Sequence, residues 1–172
     1  MDAAGAPCHH GSMTGSRAFI AAVFALALGG AAGGAAPAAA DVIAFPVYGN
    51  WCGPWHSGGS PVDALDEACM RHDLCYGTLG VLNCSCDLAL MDTLRRTSWP
   101  SGAVYDSARA IYEVVGIAPC FGSAEEQSTK FDWVRNDHLG AVARGRESPD
   151  AALERGLDLL GRGLENAYPT EP

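Results

Sequence analysis

Cys69 and Cys75 bracket a histidine and an acid, His72-Asp73, and a second acid, Asp87, follows Cys84-Ser85-Cys86. Imidazole titrates nearest neutral pH, and a carboxylate hydrogen-bonded to one ring nitrogen fixes its tautomer, so a histidine with an acid suits proton transfer. The same residues support a second chemistry, because Cys69, His72, Cys75, Cys84 and Cys86 form a zinc-ligand set on spacing alone. Serine-based acyl transfer is disfavoured, since the chain contains no Gly-x-Ser-x-Gly elbow. The choice between the first two depends on whether the thiols are oxidised and on which elements carry these side chains.

Residues 41–59 are rich in Gly, Pro and aromatics without a helical period and read as loop. At Ser60 the pattern changes: a natural N-cap precedes Pro61 at a first helical position and Asp63 in a first turn, so a helix is predicted from Ser60 to Gly77. Leu65, Cys69, His72 and Tyr76 fall along one stripe of it, with Asp73 on one shoulder and Cys75 on the other. After a short connection, a second helix places Cys84, Asp87, Met91 and Leu94 on one face and Ala89, Asp92 and Arg96 away from it, and Trp99-Pro100 should stop it. Two helices joined so tightly are antiparallel neighbours, and residues equally far from the turn face each other. His72 and Asp87 stand equally far from a midpoint between Leu79 and Gly80. Cys75 and Cys86 fall close to the same relation, so a disulfide between them would lock the register. A third helix is predicted from about Ala103 to Val115, ending near Gly116. In the tail, Ser148-Pro149-Asp150 opens an amphipathic segment with Leu153, Leu157, Leu160 and Leu164, expected to pack on the domain, with contact to a membrane surface as the lesser option.

Residues 1–40 carry Arg17, an apolar run at 18–28, and Ala38-Ala39-Ala40 before Asp41, the pattern of a removed secretory signal. The run is about a dozen residues against the roughly 20 needed to span a bilayer, which argues against an anchor. Met13 offers a second start. Removing residues 1–40 takes away Cys8 and leaves six cysteines bound for an oxidising compartment, extracellular or periplasmic, where three disulfides are expected. Oxidation argues against the zinc set. Net charge is −9, and Asp2 and Arg17 cancel, so the remaining chain carries the same charge. Phosphate-backbone binding needs clustered Lys and Arg, so a nucleic-acid partner is disfavoured, as is electrostatic docking on strongly anionic membranes.

Residues 48–77 hold Tyr48-Gly49, Cys52-Gly53 with further glycines, Pro61-x-Asp63, and Cys69-Met70-Arg71-His72-Asp73-Leu74-Cys75-Tyr76; Cys84-Ser85-Cys86-Asp87 follows. In this order the pieces resemble the calcium loop, catalytic helix and next helix of the secreted phospholipases A2, over about 40 residues. The resemblance implies an all-α fold in which a disulfide-linked antiparallel helix pair follows a Gly-rich calcium-binding loop, with further helices packed around it. It implies calcium-dependent hydrolysis of the sn-2 ester of glycerophospholipids presented in aggregates or membranes, by a mature chain without a transmembrane span. His72 then corresponds to the general base, Asp87 to the carboxylate that orients it, Tyr76 to a hydrogen-bond partner of Asp87, and the Gly53 N–H to an oxyanion donor. Asp73 corresponds to the bidentate calcium ligand, with main-chain oxygens of Trp51, Gly53 and His56; Trp55 is the alternative to His56. Calcium favours such hard oxygen donors. The resemblance pairs Cys52 with Cys69 and Cys75 with Cys86, which leaves Cys84 for Cys120.

The chain departs from the animal enzymes in three places. Asn50 and Ala68 stand where those enzymes usually have cysteines, and the seven residues between Tyr76 and Cys84 are too few for their β-hairpin, so a reduced fold is expected. The organisation read from the sequence is a signal at 1–40, a catalytic domain at 41–122 and a helical extension at 123–172. A catalytically silent relative that binds lipid or a receptor is the main alternative, and a zinc module the lesser one.

Overall fold

The computed structural model describes residues 42–100 and 102–170; the expected signal at 1–40 lies outside them. Chain order is β1 (Ile43–Ala44), α1 (Ala64–Leu79), α2 (Cys84–Arg96), α3 (Ala103–Ile117), α4 (Ala124–Ala143), α5 (Ala151–Glu165) and β2 (Tyr168–Pro169). The fold is all-α apart from the antiparallel pairing of β1 with β2, which ties the two ends of the described chain together. No helix among the described residues is long and apolar enough to cross a membrane.

α1 begins three residues later than the composition at Ser60 suggests. Asp63 is its N-cap, accepting from the N–H groups of Leu65 and Asp66, so Ser60 and Pro61 remain in the loop. Its end also lies beyond Gly77, at the Gly80 cap, whose N–H bonds the Tyr76 carbonyl. Gly77 meets nothing in space and is tolerated inside the helix. Asn83 caps α2 through its side chain, and Asp87 in the first turn suits the helix dipole.

The core lies between α1, α2, α3 and α4, around Leu65, Cys69, Met91, Leu94, Tyr112 and Val134. The face expected for α2 is the buried one: Cys84, Asp87, Met91 and Leu94 are each at most 4% exposed. α3 starts at Ala103 and ends at Ile117, one residue past Gly116, close to the expected bounds. Gly116 is there because helices crowd: a Cβ would stand 2.2 Å from Val134 Cγ2 and 2.9 Å from Met91 Cε.

α4 falls within the helical extension expected at 123–172, although the sequence reading delimits no separate helix for it. It starts with a capping box in which Ser123 bonds the N–H of Glu126 and Glu126 bonds back to the N–H of Ser123. α5 does pack, against α3, but not through the leucines singled out from its periodicity. Leu153, Leu157, Leu160 and Leu164 are each at least 56% exposed, while Leu159 and Gly163 face inward. The inward side is chosen by polar bonds as well as packing: Arg155 reaches the buried Glu113, and Arg162 reaches the buried Ser107.

Candidate active site

The loop before α1 is organised by a carboxylate the sequence reading passed over. Asp66 is fully buried and accepts from the N–H groups of Asn50, Trp51 and Val62, at 2.8 to 3.0 Å. Gly49, at φ +54°, lets the backbone come this close: a Cβ there would meet the Asp66 carboxylate at 2.4 Å. Asn50, where the animal pattern has a cysteine, closes the loop instead by donating from its side-chain amide to the Ser60 carbonyl at 2.7 Å. The His56 ring braces the same loop, with Nε2 3.0 Å from the Gly49 carbonyl and Nδ1 3.0 Å from the Tyr168 hydroxyl on β2.

Disulfides join Cys52 to Cys69, Cys75 to Cys86, and Cys84 to Cys120. The first ties loop to α1, the second ties α1 to α2, and the third ties the start of α2 to the segment before α4. These are the pairs implied by the resemblance. They also remove the zinc reading, because cysteines in disulfides offer no thiolate ligands.

The α1–α2 hairpin brings His72 and Asp87 into contact, Nε2 to Oδ1, at 2.9 Å. Tyr76 donates its hydroxyl to the same oxygen, and its ring lies 4.1 Å from that of His72. The other oxygen of Asp87 is held by the ammonium of Lys130, a fully buried side chain from α4 that also donates to the Ala118 carbonyl at 3.0 Å. Burial pushes the Asp87 carboxyl up, but the bonds from His72, Lys130 and Tyr76 and the charge of Lys130 outweigh it, and the pKa falls below the ordinary value. The Tyr76 hydroxyl is pushed up, first by burial and then by the bond and charge of Asp87. The carboxylate is therefore ionised and oriented from three sides. With Nε2–H donated to Asp87, Nδ1 of His72 carries a free lone pair.

Lys130 is the residue at this site that sequence reasoning missed. It has no motif of its own. The available signal was the Ser123-x-x-Glu126 start of α4, which puts Lys130 in register with the buried Val134 and Ala141.

Asp73 lies on the free side of the imidazole, with Oδ1 3.9 Å from His72 Nδ1. Among the described residues its carboxylate accepts no hydrogen bond from a donor. Burial pushes its pKa up to about 6, against the charges of His72 and His56, which lower it. A partly desolvated carboxylate without a donor fits a cation ligand. The loop offers oxygens of the right kind, since among the described residues the carbonyls of Trp51, Trp55 and His56 accept no hydrogen bond. That of Gly53 accepts one, from the His56 N–H at 3.2 Å, and keeps its second lone pair. This donor set of hard oxygens suits calcium. Beside His72 a cavity of about 130 Å³ is lined by Ala68, Ala89, Leu90 and the Cys75–Cys86 bridge. The larger cavity, of about 470 Å³, shares no lining residue with it.

Comparison with known proteins agrees with this geometry. The family model for phospholipase A2 matches residues 35–98, which include the loop, α1 and α2. A phospholipase A2 of Scolopendra dehaani is 51% identical over 37 residues, 22% of this chain and 24% of that one. An acidic phospholipase A2 of Daboia russelii is 45% identical over 42 residues, 24% of this chain and 30% of that one. The chain thus spans less than a third of the length of either protein. A basic phospholipase A2 of Cerastes cerastes matches over a longer stretch, 34% identical across 85 residues, 47% of this chain and 67% of that one. No solved structure matches. The paired helices, their bridging cystine and the His72–Asp87 contact coincide with the matched segment, and the chain belongs to the phospholipase A2 family.

Proposed function

We propose that this chain is a secreted, calcium-dependent phospholipase A2, hydrolysing the sn-2 ester of glycerophospholipids to a fatty acid and a lysophospholipid. The observation that carries the reading is the His72 imidazole, fixed through Nε2 on an ionised Asp87, with Nδ1 free on the side where Asp73 stands. His72 Nδ1 takes a proton from a water molecule, and the resulting hydroxide attacks the sn-2 carbonyl. Asp87 keeps the ring in the required tautomer and stabilises the imidazolium. Tyr76 and Lys130 keep Asp87 ionised. The N–H of Gly53, which donates to no acceptor among the described residues, is available to the oxyanion. His72 then returns its proton to the departing lysophospholipid alkoxide.

Asp73 would hold calcium together with the carbonyls of Trp51, Gly53 and His56, with Trp55 as the alternative to His56. When bound, the ion supplies Lewis-acid polarisation of the ester carbonyl and positive charge against the oxyanion. The substrate is phospholipid in vesicles or membranes, reached outside the cell or in the periplasm after removal of residues 1–40. Residues 41–122 carry the chemistry, and residues 123–172 form a helical extension that contributes Lys130.

Vesicles of phosphatidylcholine labelled separately at each acyl position test the proposal. Labelled fatty acid should be released from sn-2 in calcium and not in EGTA. Equal release from both positions, or full turnover in EGTA, would contradict it.

A further inference from the structure

The larger cavity, of about 470 Å³, lies among the C-terminal ends of α2 and α4 and the start of α3. That volume is in the range of small-ligand sites. Along α2, Arg95 stands eight residues beyond Asp87, about 12 Å by helical rise, so the cavity is separate from the hydrolytic site. In a chain with 11 basic residues and a net charge of −9, five of those residues line this one hollow, all of them arginine.

The five are not equally committed. Arg95 pairs with Asp137, Arg109 with Glu113 and Glu147, and Arg96 with Asp92. Arg144 and Arg146 form no ion pair among the described residues. Only two carboxylates, Asp137 and Glu147, line the cavity, so it keeps an excess of positive charge. A buried nitrogen, Arg109 Nε, also lacks a hydrogen-bond partner.

The backbone beneath the two uncommitted arginines is fixed. The Arg146 N–H bonds the Ala141 carbonyl at 3.0 Å, and the Gly145 N–H bonds the Val142 carbonyl at 2.9 Å, with Gly145 at φ +65°. This reversal ends α4 and places Arg144 and Arg146 on either side of Gly145, whose left-handed conformation favours a residue without a Cβ. Guanidinium groups present paired N–H donors that match the oxygens of phosphate. Tyr105 also lines the cavity.

We propose that this cavity is an anion site for a phosphate group, either on a soluble phosphate or on a lipid headgroup. The plainer role for these side chains is to offset the partial negative charge at the ends of two helices. That role predicts no difference between phosphate and any other anion.

Calorimetry on the full chain, in EGTA and at fixed ionic strength, decides between them using inorganic phosphate against chloride. No ester chemistry or calcium enters, so this result is independent of the proposed hydrolysis. Wild type should bind phosphate saturably. The R144A/R146A variant should lose about tenfold or more in affinity, because charge-assisted hydrogen bonds are removed. A second variant, R144K/R146K, keeps the charge without the forked donors and should fall between the two. Sedimentation with phosphatidylcholine vesicles, with and without phosphatidic acid, separates the sources: binding that needs phosphatidic acid and is displaced by phosphate assigns the site to a headgroup. Phosphate binding without vesicle binding assigns it to a soluble anion. Phosphate indistinguishable from chloride with no phosphatidic-acid dependence would overturn the proposal, as would undiminished binding by R144A/R146A.

Discussion

Asp87 is a carboxylate with three donors and almost no exposure, and the most consequential of these is Lys130, because it is a charge with nowhere else to go. Removing one partner of a buried pair leaves the other uncompensated, so Lys130→Met should cost about 3–5 kcal/mol, measured by urea unfolding. Adding Asp87→Asn should recover part of that loss, which a double-mutant cycle reads as coupling. The sign of the pH dependence follows from the same contact. The folded pKa of Asp87 lies below its unfolded value, so its stabilisation is complete above the ordinary carboxyl range. It is lost as pH falls through that range and below. Lys130→Met weakens the depression, and its stability should therefore fall less steeply with acid than that of wild type over the same interval.

At the scale of elements, two contacts hold the working residues in place. The first is the crossing of α3 with α2 and α4 at Gly116, where no Cβ fits. Gly116→Ala should destabilise by about 1–3 kcal/mol through overpacking despite its better helix propensity, with the loss read from the denaturation midpoint. The second is the β1–β2 clasp, which carries Tyr168 to the His56 ring and so reaches the loop proposed to hold calcium. Tyr168→Phe removes that bond. If it contributes a net of about 1 kcal/mol, calcium affinity should fall about fivefold, as measured by titration calorimetry. Unchanged affinity would mean that the Asp66 bonds, the Asn50–Ser60 bond and the Cys52–Cys69 bridge hold the loop without the clasp.

For the molecule as a whole, the parts legible in the sequence were those with short-range markers. Turn length and helical period were enough to place His72 opposite Asp87, and cysteine parity was enough to expect three bridges. Boundaries were less legible: Ser60 and Asp63 are both competent caps, and the loop's own hydrogen bonds, centred on Asp66, decided between them. The long-range contributions were not legible at all. Lys130 reads as an ordinary surface cation until α4 is laid on α2. The leucines of α5 form the more regular apolar stripe, yet the helix turns that stripe outward because Arg155 and Arg162 have buried partners on the other side. Periodicity measures a helix's own asymmetry and carries no information about what its neighbour needs.

The central claim is that one imidazole is served by two acids with different tasks. It is tested most directly by measuring calcium-dependent fatty-acid release for wild type, His72→Gln and Asp73→Asn, with circular dichroism as the check on folding. Both variants should stay folded and lose hydrolysis, and Asp73→Asn should also lose calcium binding. Normal turnover by either folded variant would contradict it.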